Sequence, residues 1–267
     1  MASDVSRSRH TDQLLLAVGR RDRRAAIAVL AVGTIAAWLY LTLGFSSQAG
    51  MGDAMSSMTT MGAWTVSEAG VRLLMWAVMM VAMMLPAAIA PTLVYVAVAR
   101  KASKQGTPVA SALALVSGYI GVWLVFCFAA TTAQWGLDRL NLLSASMASN
   151  NALFGGSLLI TAGLYQMTPL KTRCLKLCRD PARLLADHWH AGSAGAVQMG
   201  AELGVYCLGC CWVLMALLFV GGVMNLVWVA AIATFILLEK VAPNAEMWGR
   251  VFGAAMIVTG VGVIALA

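Results

Sequence analysis

An all-α bundle of about seven membrane-crossing helices is the fold this sequence predicts, and three observations predict it. Of the 267 residues, 61% are apolar and only 11% are charged. A soluble domain carries about 45–50% and about 25%. The mean hydropathy is +0.82, more apolar surface than one water-facing globule can bury. The charges fall in short clusters between long apolar runs, the pattern of topology signals. A disordered chain is excluded by the same composition. The clustering argues against the nucleic-acid reading that a net charge of +7 invites.

Each element follows in order. Residues 1–24 form a basic tail expected in the cytoplasm, and residues 25–267 form a single transmembrane domain. The first apolar run, 25–45, is longer than a typical signal core and lacks a cleavage site, so it is expected to stay as an anchor. The Arg20-Arg21 pair reads as topogenic charge rather than a twin-arginine signal. An outer loop covers 46–64. The next spans are 71–98, 109–133 and 152–170, followed by an inner loop over 171–194. The fifth and sixth spans, 196–221 and 225–241, are divided at Gly221-Gly222-Val223-Met224-Asn225, whose Gly and Asn residues favour a turn. The last span is 249–267.

The Lys and Arg positions orient these spans. Arg7, Arg9, Arg20, Arg21, Arg23, Arg24, Arg100, Lys101, Lys104, Lys171, Arg173, Lys176, Arg179, Arg183, Lys240 and Arg250 fall on one side. Only Arg72 and Arg139 fall on the other. The bias predicts N-in/C-out in a bacterial cytoplasmic (inner) membrane. Merging 196–241 into one span would move Lys240 and Arg250 outside. Trp64 and Trp135 sit near the outer ends, and Trp189 and Trp248 near the inner ends, as an interfacial belt requires.

Six Cys and 17 Met residues carry the chemistry. In Glu202-x4-Cys207-x2-Cys210-Cys211, a rotation of about 100° per residue puts the three sulfurs within one arc of roughly 100°. Met199 and Met215 flank that arc, and Glu202 lies at its margin. Cys207 stands about 16 Å along its span, near mid-membrane. Ionisable groups at that depth face the bundle interior and mark functional pathways. Thiolates bound to a soft cation would offset the burial cost, and Cys and Met together select Cu(I), with zinc as the second choice. Cys127 stands alone and reads as a small apolar residue.

In the second span, Met75, Met79 and Met83 form one i, i+4 stripe, and Met80 and Met84 a neighbouring one. A thioether is a neutral soft donor, so Met79, Met83 and Met84 join the candidate ligands. The packing alternative is that Met fills irregular space around Pro86 and Pro91. Pro86 frees a backbone carbonyl that must find another donor. In the outer loop Met51, Met55, Met58 and Met61 could collect a soft ion. The inner loop holds Cys174-x3-Cys178, one helix face at i, i+4. It also holds His188-x-His190, whose spacing matches no standard zinc module. His10 lies in the basic tail and reads as solvated. Glu239-Lys240 reads as a self-paired charge couple at the inner end of the sixth span.

Several stretches carry a resemblance. They are Met83-Met84-Leu85-Pro86 with Pro91 and Tyr95, Tyr165 to Lys171, and Cys174-Leu175-x-x-Cys178-Arg179-x-Pro181. Tyr206-Cys207-Leu208-Gly209-Cys210-Cys211-Trp212, Gly222 to Asn225 and Glu239-Lys240 complete the set. Over about residues 70–245 the chain resembles a bacterial family of predicted metal-binding integral membrane proteins of unknown function. The resemblance implies metal binding, with Cys174, Cys178, Cys207, Cys210 and Cys211 as candidate ligands. Some relatives carry His just before the glycine at 204. Leu203 stands there in this chain, so Glu202 or a Met would have to compensate.

The expected function is handling of Cu(I), by transport or chaperone-like delivery, with a metallochaperone or acceptor protein as partner besides the bilayer. Two alternatives stand beside it. One is a membrane thiol–disulfide oxidoreductase using Cys207-x2-Cys210, although low dielectric disfavours its attacking thiolate. The other is a structural or partner-binding subunit whose Cys and Met only pack. No phosphate-binding loop, nucleophile elbow or metalloprotease helix is found, which argues against ATP-driven transport by this chain and against familiar enzyme chemistries.

Overall fold

The computed structural model describes residues 20–48, 64–104, 106, 110–144, 147–242 and 244–266. The outer methionine loop and the tail that carries His10 lie outside the described residues. Among the described residues the chain is helical, with one isolated bridge between Leu143 and Ser149. The helices are α1 (Arg20–Gln48), α2 (Val66–Lys104), α3 (Ala112–Arg139), α4 (Ala152–Gln166), α5 (Pro169–Arg179), α6 (Pro181–Asp187), α7 (Gly192–Ala216), α8 (Leu218–Gly221), α9 (Leu226–Val241) and α10 (Ala245–Ala265).

Five stretches are long and apolar enough to cross a membrane: α1, α2, α3, α7 continuing into α8, and α10. The fourth and sixth predicted spans form apolar helices of 15 and 16 residues, α4 and α9. At 1.5 Å per residue each is roughly 23 Å long, short of a hydrocarbon core of about 30 Å. The fourth predicted span ends early because Thr168 caps a new helix whose first residue is Pro169. The predicted division between the fifth and sixth spans appears as a turn. Gly222 takes φ of 92°, and Asn225 caps α9 by accepting from the Trp228 N–H.

Two helix pairs approach by way of glycine. In α3 and α7, a Cβ on Gly118 would strike the Val197 carbonyl, and one on Gly200 the Leu115 carbonyl. In α4 and α10, a Cβ on Gly163 would strike the Gly253 carbonyl, and Gly156 faces Gly260 in the same way. Small residues let such helices pack backbone to backbone where apolar solvent supplies no hydrophobic drive. Outward faces stay apolar: Val29, Val32, Val125, Phe128, Val227 and Val258 are each at least 60% exposed.

Pro86 and Pro91 lie inside α2 without ending it. Pro86 has no N–H for the Ala82 carbonyl, and the Trp38 indole of α1 donates to that carbonyl at 3.2 Å. The freed group is thus satisfied from a neighbouring helix. At one end of the bundle Arg72 meets Asp138 at 3.6 Å and stacks over Trp64, and Arg139 stacks over Trp135. Of these, Arg72, Arg139, Trp64 and Trp135 are expected on the outer side. At the other end Tyr95 stacks on Trp189.

Candidate metal centre

The site is built on the middle of α7. Cys207, Cys210 and Cys211 are all buried there, at 1–2% exposure. The Cys210 and Cys211 thiols both donate to the Cys207 carbonyl, each at 3.0 Å. Two sulfurs therefore meet at one backbone oxygen, a turn on from Cys207.

Helix α5 adds two more. Thr168 caps it by accepting from the Lys171 N–H, and Asp180 ends it while capping α6 through the Arg183 N–H. Three contacts fix α5 against α9 and α10 and the turn between them. Lys171 pairs with Glu239 through both carboxylate oxygens, at 2.6 and 2.7 Å. Lys176 meets Glu246 at 3.0 Å, and Arg179 donates to the Ala242 carbonyl at 2.8 Å. So held, α5 turns its Cys face onto α7. The Cys178 side chain packs against the cluster that holds Cys207 and Cys210. The Cys174 sulfur lies 2.9 Å from where a Cβ on Gly209 would stand. Glycine at 209 is what leaves room for it. The Tyr165 hydroxyl donates to the Gly209 carbonyl on the same face.

The sequence separates an intramembrane Cys cluster from a Cys pair in an inner loop. The structure joins them. Cys207 also meets two groups that spacing does not reveal. The Lys240 ammonium donates to its sulfur at 2.9 Å, and the Tyr119 hydroxyl lies 3.1 Å from it. Tyr119 also bonds the Met84 carbonyl at 3.2 Å. No periodicity argument points to Tyr119, because its partner is 88 residues away.

The expected Glu239–Lys240 self-pair does not form. Consecutive helical residues point about 100° apart, so each charge finds its own neighbour. Glu239 takes Lys171, and Lys240 takes Cys207. Glu202 turns elsewhere too. His188 Nδ1 lies 3.0 Å from its carboxylate, and Gln198 donates to it at 3.2 Å. His190 rests on the His188 carbonyl at 2.8 Å rather than on the Cys pair. Met79, Met83 and Met84 are buried in the core.

Electrostatics at α5 favour protonated thiols in the empty protein. Burial pushes the Cys174 thiol up from the ordinary range. Hydrogen bonds with Cys207 and Cys210 hold Cys178 well above it, with burial adding to the effect. Among the described residues no group of three or more His, Cys, Asp or Glu side chains is arranged to hold a metal ion as it stands. The Cys210 and Cys211 thiols are instead turned to the Cys207 carbonyl.

Residues 73–263 match the PpoB2 family, described as copper chaperone. The chain belongs to this copper chaperone family. The match runs from α2 into α10 and takes in all six cysteines, Tyr119, Lys171, Glu239 and Lys240. It leaves α1 outside. Neither the curated proteins nor the solved structures contain a match to the chain.

Proposed function

We propose that this chain is a membrane-embedded copper chaperone that holds Cu(I) on sulfurs drawn from Cys178, Cys207, Cys210 and Cys211, two of them as thiolates whose charge the ion and Lys240 balance, with Cys174 beside them, and passes it to an acceptor protein. One observation carries the reading: α5 is clamped so that its Cys pair meets the α7 cluster. Thiolate is a soft ligand suited to Cu(I). Membership of the copper chaperone family supports the choice of metal over zinc.

The arrangement suits a carrier that must both take and yield its cargo. Lys240 supplies one positive charge at Cys207, which offsets anionic thiolates in a low-dielectric site. The neighbouring thiols of Cys178, Cys207, Cys210 and Cys211 let an ion move by stepwise ligand exchange rather than by dissociation. Met79, Met83 and Met84 are proposed as thioether donors on the way to the thiols, and Met51, Met55, Met58 and Met61 as outer collectors. Glu202, engaged with His188, is left out of the ligand set. The five long apolar stretches support a membrane location, and the Lys/Arg bias, which counts the shorter α4 and α9 as crossing too, supports N-in/C-out in the inner membrane.

The test is the metal content of the detergent-purified protein, prepared reduced and offered Cu(I) and Zn(II) in parallel. Stoichiometric copper is expected, lost on Cys207→Ala/Cys210→Ala/Cys211→Ala. Zinc in place of copper, or copper that survives the triple replacement, overturns the reading.

A further inference from the structure

The proposed thiol cluster leaves one buried cysteine unused. Cys127 of α3 is fully buried, at 0% exposure. It lines a small cavity between α2 and α3 together with Met80, Met84, Tyr119, Trp123 and Leu124. Met80 and Met84 lie one turn apart and are each 1% exposed. Met79 and Met83, from the neighbouring stripe, do not line it.

We propose that Met80, Met84 and Cys127 form a second metal site, specific for a soft monovalent cation such as Cu(I) or Ag(I). The inference rests on the copper reading above and extends it to a station outside the thiol cluster. Its donor atoms are two thioethers and one thiol, with no carboxylate or imidazole on the cavity wall. That set suits soft ions and offers nothing to hard ones. The room is about 20 Å³, enough for a single ion or one water. Water is a poor occupant. A buried water takes about two to four polar partners. The Tyr119 hydroxyl is engaged with the Met84 carbonyl and Cys207. The donors left on the wall are the Trp123 indole N–H, buried without a partner, and the weakly donating Cys127 thiol, fewer good partners than a buried water takes.

Charge decides the valence. On loading, the Cys127 S–H bond breaks, its proton passes to buffer, and a sulfur–metal bond forms. No electrons change hands. One thiolate, two neutral thioethers and a monovalent ion make a neutral complex. A divalent ion would leave one positive charge uncompensated in an apolar wall, which is costly. Tyr119 joins the two sites: it lines the cavity and its hydroxyl touches the Cys207 sulfur. An ion leaving Cys127 therefore passes a single side chain to reach the thiol cluster.

Native mass spectrometry of the full-length protein in detergent, titrated with Ag(I), tests this. Wild type is expected to bind Ag(I) at the cluster and one further ion. Met80→Leu/Met84→Leu/Cys127→Ala should lose one Ag(I) and keep the cluster's share. Cys207→Ala/Cys210→Ala/Cys211→Ala should keep the cavity ion. Cys127→Ala alone, a milder change should the triple variant not fold, should release fewer protons on saturation with Ag(I). Equal Ag(I) binding by wild type and the cavity variant, or equal filling of the cavity by Zn(II), overturns the proposal and leaves the thiol-cluster reading standing. Wild type that binds neither Ag(I) nor Cu(I) sinks both.

Discussion

The ammonium of Lys240 sits 2.9 Å from the sulfur of Cys207, across 33 residues of sequence and at the meeting of α9 with α7. A cation at this sulfur would offset the negative charge of a metal-bound thiolate. Outer partners of metal ligands typically change affinity by about 10–100-fold when removed. Lys240→Met is therefore expected to weaken Cu(I) binding by that range, measured by competition with a colorimetric chelator. Lys240→Arg keeps the charge but not its point geometry and should fall between. Unchanged affinity in Lys240→Met would remove Lys240 from the site.

Lys171 and Glu239 form an ion pair with side chains only 3% and 4% exposed. Breaking a buried pair by removing one partner costs about 3–5 kcal/mol, because the other charge is left alone. Glu239→Ala or Lys171→Met should lower thermal stability by that amount in detergent. The double replacement with Met and Leu should recover much of the loss. Copper content should fall in the single variants, since this pair anchors α5.

Two glycines separate packing from the site. A Cβ on Gly209 would stand 2.9 Å from the Cys174 sulfur. Gly209→Ala should displace α5, cost about 1–3 kcal/mol, and reduce Cu(I) affinity. A Cβ on Gly163 would strike the Gly253 carbonyl. Gly163→Ala should destabilise the α4–α10 pair while the fraction that folds keeps its copper. Thermal melts with metal analysis of the folded fraction would check the contrast, and copper loss in Gly163→Ala would refute it.

Proton release gives a pH signature. Burial holds the Cys174 thiol up, and hydrogen bonds do the same for Cys178. Both keep their protons above 9.0, where an unperturbed thiol ionises. The folded state then binds more protons than the unfolded one, so the empty protein loses stability as pH rises past that value. Metal binding runs the other way. Each thiol proton displaced makes affinity rise by about tenfold per pH unit below the folded pKa. Chelator competition between pH 6 and 8 (values of about these sizes suit thiol ligation) should show tighter binding at the higher pH. A flat profile would mean that no thiol proton is displaced.

Much of this was legible in the chain, and the part that was not has a physical cause. Apolar run length located the helices, because a lipid-facing helix must be apolar along its whole length. The turn after Gly221 followed from Gly and Asn chemistry. The common face of Cys207, Cys210 and Cys211 followed from helical rotation alone. Tertiary contacts were out of reach. Nothing local says that α5 folds back, since its position depends on Lys171 reaching Glu239 and Arg179 reaching Ala242. Glu202 stood at the margin of the Cys arc and could have served either side; His188, brought round by the loop, took it. Adjacency suggests that Glu239 and Lys240 pair, although helical rotation already points them apart.

The bond from the Trp38 indole to the Ala82 carbonyl has a bearing on inheritance. The family match begins at residue 73, so α1 lies outside the matched region. Yet α1 supplies the donor that Pro86 withholds from the matched helix. A relative that inherits the proline without an equivalent of α1 must borrow a donor from elsewhere, such as another subunit or a trapped solvent molecule. Proline and tryptophan should therefore be gained and lost together across lineages, even though they belong to different helices.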